Sequence, residues 1–202
     1  MRARVIVLAG PSGSGKSRLA ARLGLPVLRL DDFYKDGDDP TLPRIRHGAN
    51  AGMVDWDHPD SWLPEDALAT MAALCHQGRA EVPVYEISAN GRCGSRQLDL
   101  GGSPLYVAEG IFAPDVVARA REAGILAAAY CVRRSAATTF VLRLVRDLKE
   151  RRKPPLVLLT RGLGLARAQR GVVADAVAKG CTPASPDEVV AAVERLGSEA
   201  LR

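Results

Sequence analysis

The stretch "GPSGSGKS", residues 10–17, follows the apolar run "RVIVLA" at 4–9 and leads into a periodic segment at 16–23, and its reading decides the fold. It satisfies the pattern G-x-x-x-x-G-K-[ST], which becomes a structural claim only when a strand enters it and a helix leaves it. Both flanks are present. Gly10, Gly13 and Gly15 let the backbone wrap closely, so that consecutive N–H groups through Ser12 and Ser14 and the start of a helix point at phosphate oxygens. Lys16 would neutralise the β- and γ-phosphates and Ser17 would ligate Mg²⁺. The stretch therefore predicts a phosphate-binding loop, with ATP and Mg²⁺ as the expected cofactors. A glycine-rich turn with a chance lysine is the competing reading, and it explains neither the Lys-Ser pair nor the flanks.

Outward from the loop, "PVLRL" at 26–30 reads as a second short strand, and "PEDALATMAALCHQG" opens on proline and acids and closes on glycine, as a helix does. "AEVPVYEIS" and "CGSRQLDL" read as antiparallel strands, with Asn90 and Gly91 supplying positive φ at the turn. "PLYVAEG" and "ILAAAYCV" read as buried strands. Helices are predicted over 135–151, 164–179 and 187–197, with a loop between the last two. Strands alternating with helices predict an α/β three-layer sandwich, a mostly parallel sheet with helices on both faces.

The chain has 202 residues, enough for one well-filled domain. It is 47% hydrophobic and 25% charged, which argues against disorder. The apolar runs are shorter than the roughly 20 residues that span a bilayer, and no signal-peptide layout opens the chain. A cytoplasmic protein with no membrane partner is expected. Cys75, Cys93, Cys131 and Cys181 lie far apart, and reduced, mostly buried thiols are expected. Residues 133–153 hold eight Arg and Lys against two acids, an excess greater than the chain's formal net charge of +5.

Which group receives the phosphoryl depends on the rest of the chain. Asp31 falls at the carboxyl end of "PVLRL", where ligand crevices of open parallel sheets lie. A carboxylate there suits acceptance of an alcohol's proton, and an acidic turn is the alternative. "VDWDHPDSW", residues 54–62, mixes tryptophans and carboxylates in a way that suits a polyol, or equally a structural turn. Glu109 ends a buried strand and is a candidate to orient the metal; the alternative is a solvent-facing strand end. "FVLRLVRDLKERRK" sets Arg143 and Arg146 on one helical face, as a phosphate lid, a solvated basic face or a nucleic-acid patch would.

The motifs "GPSGSGKS", "LDDFYKD", "DWDHPDSW", "VPVYEIS…R", "YVAEGIF" and "RLVRDLKERR" occur in one order, from residue 4 to about residue 153. In that order the chain resembles the uridine kinase family of nucleoside kinases, and more loosely phosphoribulokinase and bacterial pantothenate kinase. The resemblance implies that Asp31 is the general base and that Phe33 and Tyr34 are acceptor-pocket aromatics. It implies that Trp56 and Asp57 are the aromatic and the ribose-binding carboxylate, with Tyr85 and Arg92 pocket residues on a hairpin. Glu109 would be the acid near magnesium, and Arg143, Arg146 and Arg151 arginines of a lid. Asn90 stands where uridine kinases carry a base-reading histidine, and the segment beyond Pro154 departs from the family's pattern.

These readings make residues 1–202 one kinase domain, with an acceptor-binding insertion at about 32–100 and a lid at about 143–155. Lys16, Asp31 and Arg146 are the expected catalytic residues. The expected reaction is transfer of the γ-phosphate of ATP to a hydroxyl of a small metabolite, a pyrimidine nucleoside first. The alternatives are a kinase of another alcohol, pantothenate-like or a sugar, and a non-catalytic nucleotide-binding regulator. A small-molecule acceptor is the expected partner, no nucleic acid is expected, and a homo-oligomer is compatible with the sequence.

Overall fold

The continuous apolar run at Arg4–Ala9 forms β1, the middle of a five-stranded parallel sheet in a computed structural model that describes residues 3–11, 13–48, 50–133 and 170–200. The other strands are β2 (Val27–Arg29), β5 (Leu105–Glu109), β6 (Leu126–Val132) and β7 (Thr182–Ala184). Their order is β2-β5-β1-β6-β7, every neighbouring pair being parallel.

Alternation along β1 assigns the two faces, because successive side chains of a strand point to opposite sides. Val5, Val7 and Ala9 join a core with helix α2 (Pro64–Gln77), helix α3 (Val117–Glu122) and the helical residues 170–178, here α4. Ile6 and Leu8 join a second core with α1 (Lys16–Leu23) and α5 (Pro186–Ala200). All five of these β1 side chains are fully buried. The expected three-layer arrangement with helices on both faces is the one found.

The small hairpin is also found, as β3 (Arg79–Glu86) and β4 (Gly91–Asp99) in a two-stranded sheet of their own. Its turn differs from the sequence reading. Asn90 has positive φ, 54°, whereas Gly91 does not; it lies beside Asp36, which leaves little room for a side chain. The pairing also shifts: Val84 faces Gly94 but Tyr85 faces Arg92, so Cys93 is an extra, bulged residue.

The segment expected to be only a loop before the last helix contains β7, and α3 was not read from the sequence. Of the four thiols, Cys75, Cys131 and Cys181 are buried and Cys93 is exposed, and all four are free. Burial pushes the Cys181 thiol up to about 12. Among the described residues no helix is long and apolar enough to cross a membrane. The helix expected at 135–151 and the lid at 143–155 lie outside the described residues.

Candidate active site

At the carboxyl end of β1 the chain turns through the glycine-rich loop into α1. Gly15 caps that helix with φ 90° and ψ 23°, a left-handed conformation that favours glycine, and Lys16 and Ser17 open the first turn. Gly10 and Gly13 also have positive φ, and Ser14 is buried within the loop. The amine of Lys16 donates to the carbonyls of Gly10, at 2.8 Å, and Pro11, at 3.3 Å. Ser12 lies outside the described residues.

Beside β1, strand β5 brings Glu109 level with Leu8, and Arg29 of β2 pairs with Glu109 in turn. The Ser17 hydroxyl donates to Glu109 Oε1 at 3.0 Å. Glu109 is 7% exposed, so the alternative of a solvent-facing strand end is overturned. Burial pushes its carboxyl up, Lys16 and Ser17 act to lower it, and the nearby charge of Asp31 raises it further. A serine hydroxyl and a carboxylate so placed are hard oxygen donors of the kind that hold Mg²⁺ with phosphate. This donor set fits the ion.

Asp31 follows β2 in a short 3-10 helix, Leu30–Phe33. Its Oδ1 accepts a hydrogen bond from the Ile111 backbone N–H at 3.0 Å. The same carboxylate overlies Gly110, where a Cβ would stand 2.7 Å from Oδ1. The loop, Glu109 and Asp31 thus end three adjacent strands, β1, β5 and β2.

Over Asp31 the structure gathers an aromatic cluster centred on Tyr34. Its ring lies 5.7 Å from Trp56, 5.8 Å from Tyr85 and 5.8 Å from Phe112, between centroids. Burial, then the charges of Asp31 and Asp57, push the Tyr34 hydroxyl well above the ordinary range, which puts Asp57 within electrostatic reach of the same cluster. Phe33 was expected in this wall; it is instead 2% exposed and packs into the core, because the 3-10 turn points it inward. Asn90 is exposed at the hairpin turn and accepts the Gly37 N–H through its backbone carbonyl, at 2.7 Å. Arg92, on the hairpin as expected, is bound to Asp36, its Nη2 lying 2.9 Å from Oδ2. Arg143, Arg146 and Arg151 lie outside the described residues.

Sequence reasoning left several contributors unassigned. Phe112 closes the aromatic cluster, and its place just after a strand-end glycine was a usable signal. Asp32 is 5% exposed and lies 3.8 Å from Arg29 Nη2; burial pushes its carboxyl up while the Arg29 and Arg96 charges draw it down. Trp62, 3% exposed, donates its indole N–H to the Leu30 carbonyl at 2.7 Å. That bond ties the "DHPDSW" segment to the turn holding Asp31, which is the structural side of a motif that the sequence left open between a polyol site and a structural turn.

No protein-family model matches the chain. A curated uridine kinase of Saccharomyces cerevisiae is 29% identical over 116 residues, 54% of this chain and 22% of that protein, well under two thirds of its length. A uridine kinase of Lactobacillus johnsonii is 24% identical over 155 residues, covering 73% of this chain and 69% of that protein. Among solved structures, a chain from Silicibacter sp. TM1040 described as a candidate fructose transport system kinase superposes with a TM-score of 0.60 at 20% identity. That superposition covers 86% of this chain and 85% of the other, and shows the shared fold. The resemblance drawn from the ordered motifs is upheld: the chain is similar in sequence to uridine kinases, and it shares the fold of that solved structure.

Proposed function

We propose that this chain is an ATP- and Mg²⁺-dependent phosphotransferase of the uridine kinase type, moving the γ-phosphate to a hydroxyl of an uncharged nucleoside, with uridine or cytidine as first substrates. One observation carries the reading: Asp31 stands beside Glu109 and the Lys16-Ser17 pair, under an aromatic wall. Ser17 and Glu109 would hold the metal, which would supply positive charge to offset that of the phosphates. The loop's N–H groups and Lys16 hold the triphosphate. Asp31, oriented by the Ile111 N–H, accepts the proton of the incoming hydroxyl and aligns its oxygen. Tyr34, Trp56 and Tyr85 cover the planar base, and Asp57 accepts hydrogen bonds from sugar hydroxyls. Arg143, Arg146 and Arg151 add positive charge around the transferring group. In this reading residues 1–202 work as one cytoplasmic kinase unit, with 32–100 serving the acceptor and 143–155 the lid.

The charge of the pocket favours a nucleoside over a pantothenate-like acid. Asp31 and Asp57 both act on Tyr34, and the Arg92 guanidinium is already paired with Asp36. An anionic acceptor would meet like charge.

ADP release measured against a panel of nucleosides, sugars and pantothenate tests the reading. Magnesium-dependent turnover is expected with a pyrimidine nucleoside. Asp31→Asn should fold, bind ATP, and lose about 100- to 10,000-fold in kcat, the range attributable to a positioned general base. Turnover confined to sugars or pantothenate, or full activity in Asp31→Asn, would overturn it.

A further inference from the structure

The hairpin carrying Tyr85 is fastened to the segment that follows the Asp31 turn by one built contact. Asp36 accepts the Arg92 backbone N–H at 2.7 Å through Oδ1 and the Arg92 guanidinium at 2.9 Å through Oδ2. In return the Gly37 N–H donates to the Asn90 carbonyl at 2.7 Å. The two segments approach so closely that a side chain at Gly37 would collide with the Asn90 side chain, and one at Gly91 would stand 3.2 Å from Asp36 Oδ1.

The bulge at Cys93 gives this contact its bearing on the acceptor. It makes Arg92 the cross-strand partner of Tyr85, and directly opposed residues project on the same face of a hairpin. Arg92 therefore stands beside the ring that packs on Tyr34. Asp36 lies close enough to Tyr85 to raise its hydroxyl pKa, after the larger effect of burial. Left unpaired, that guanidinium would be a cation at the pocket rim.

We propose that Asp36 and Arg92 form a clasp that holds the hairpin over the acceptor pocket and withdraws the Arg92 charge from the acceptor, so that Asp36 is a positioning and charge-selecting residue. The clasp rests on the kinase reading above and adds to it the reason an uncharged acceptor is preferred. The Nη2–H of Arg92 at 2.9 Å and its Nε–H at 3.3 Å both face Asp36 Oδ2, so the carboxylate offsets the guanidinium charge along that edge.

The full-length chain tests this in two ways. Amide exchange at Gly37 and Arg92 should quicken about tenfold or more in Asp36→Ala, with β1 and β5 amides unchanged, since local opening exposes only the clasped segments. With uridine, the acceptor KM should rise about tenfold while kcat and the KM for ATP stay within about twofold, a loss confined to ground-state positioning. The ratio of kcat/KM for 5-carboxyuridine over uridine should rise in Asp36→Ala, where Arg92 is released, and not in the Asp36→Ala/Arg92→Ala double variant. Asp36→Asn, which keeps an acceptor for the Arg92 N–H, serves where the alanine variant is too unstable. Faster exchange with unchanged acceptor KM, or an unchanged carboxylate ratio, overturns the proposal. If the wild type phosphorylates no nucleoside, the functional reading fails on its own, and the same KM split and carboxylate ratio judge the clasp on the alcohol that the wild type does accept.

Discussion

Gly110 shows how tightly the residues around Asp31 are placed. A Cβ there would stand 2.7 Å from Asp31 Oδ1 and 2.9 Å from the Leu30 Cβ, so Gly110→Ala must displace the carboxylate. A shift of about 1 Å in a reacting group costs on the order of 100-fold. We expect kcat to fall by about that factor while ATP affinity, governed by the loop after β1, stays within about twofold; steady-state kinetics and nucleotide titration check both. The position of Asp31 just beyond β2 was legible, because a short apolar strand leads straight into it. The demand on Gly110 was not, since it comes from a side chain brought over it only by the pairing of β2 with β5.

The turn carrying Asp31 is held by the segment from Asp55 to Leu63. Tyr34 and Trp62 form a bridge, the Lys35 N–H donates to Ser61 and the Leu63 N–H to Phe33, and the Trp62 indole reaches Leu30. Trp62→Phe keeps much of the ring and leaves the Leu30 carbonyl without that donor in a buried site. A loss of about 1–3 kcal/mol is expected from an unsatisfied buried group, read from the denaturation midpoint, with the acceptor KM rising more than that of ATP. Elements with strong local signals were legible: β1 and β5 as apolar runs, α2 between its proline and Gly78. Strand β7 was not, for it is three residues long with Pro183 at its centre. A proline is tolerated there because β7 is the edge of the sheet. The burial of Phe33 had no signal in the sequence, since a 3-10 turn obeys neither period that a sequence reading applies, and only the resemblance had assigned that side chain.

At the scale of the whole molecule, α4 is fastened to the turn after β5 by Lys179. Its amine lies 2.7 Å from Asp115 Oδ1 and 2.8 Å from Asp175 Oδ2. Burial works against its charge, but the hydrogen bonds to the two carboxylates prevail and raise its pKa above the ordinary 10.5. A raised amine stabilises the fold fully below the unfolded value and loses that contribution as pH climbs through the folded one. Chemical denaturation above pH 10.5 should therefore show a declining limb that Lys179→Met flattens. The layered architecture was legible from alternation alone, while this tie was hidden because it joins segments distant in sequence. The hairpin's separate sheet carries a consequence of another kind. Shifting any strand of the parallel sheet drags its neighbours out of step, so the ends of β1, β5 and β2 can hardly be altered one at a time. The residues from Arg79 to Asp99 share no such ladder with them. On the proposed reading, mutation can rework the far part of that ribbon without disturbing the phosphate-loop end of the sheet, which makes it the natural place for a lineage to acquire a new diet.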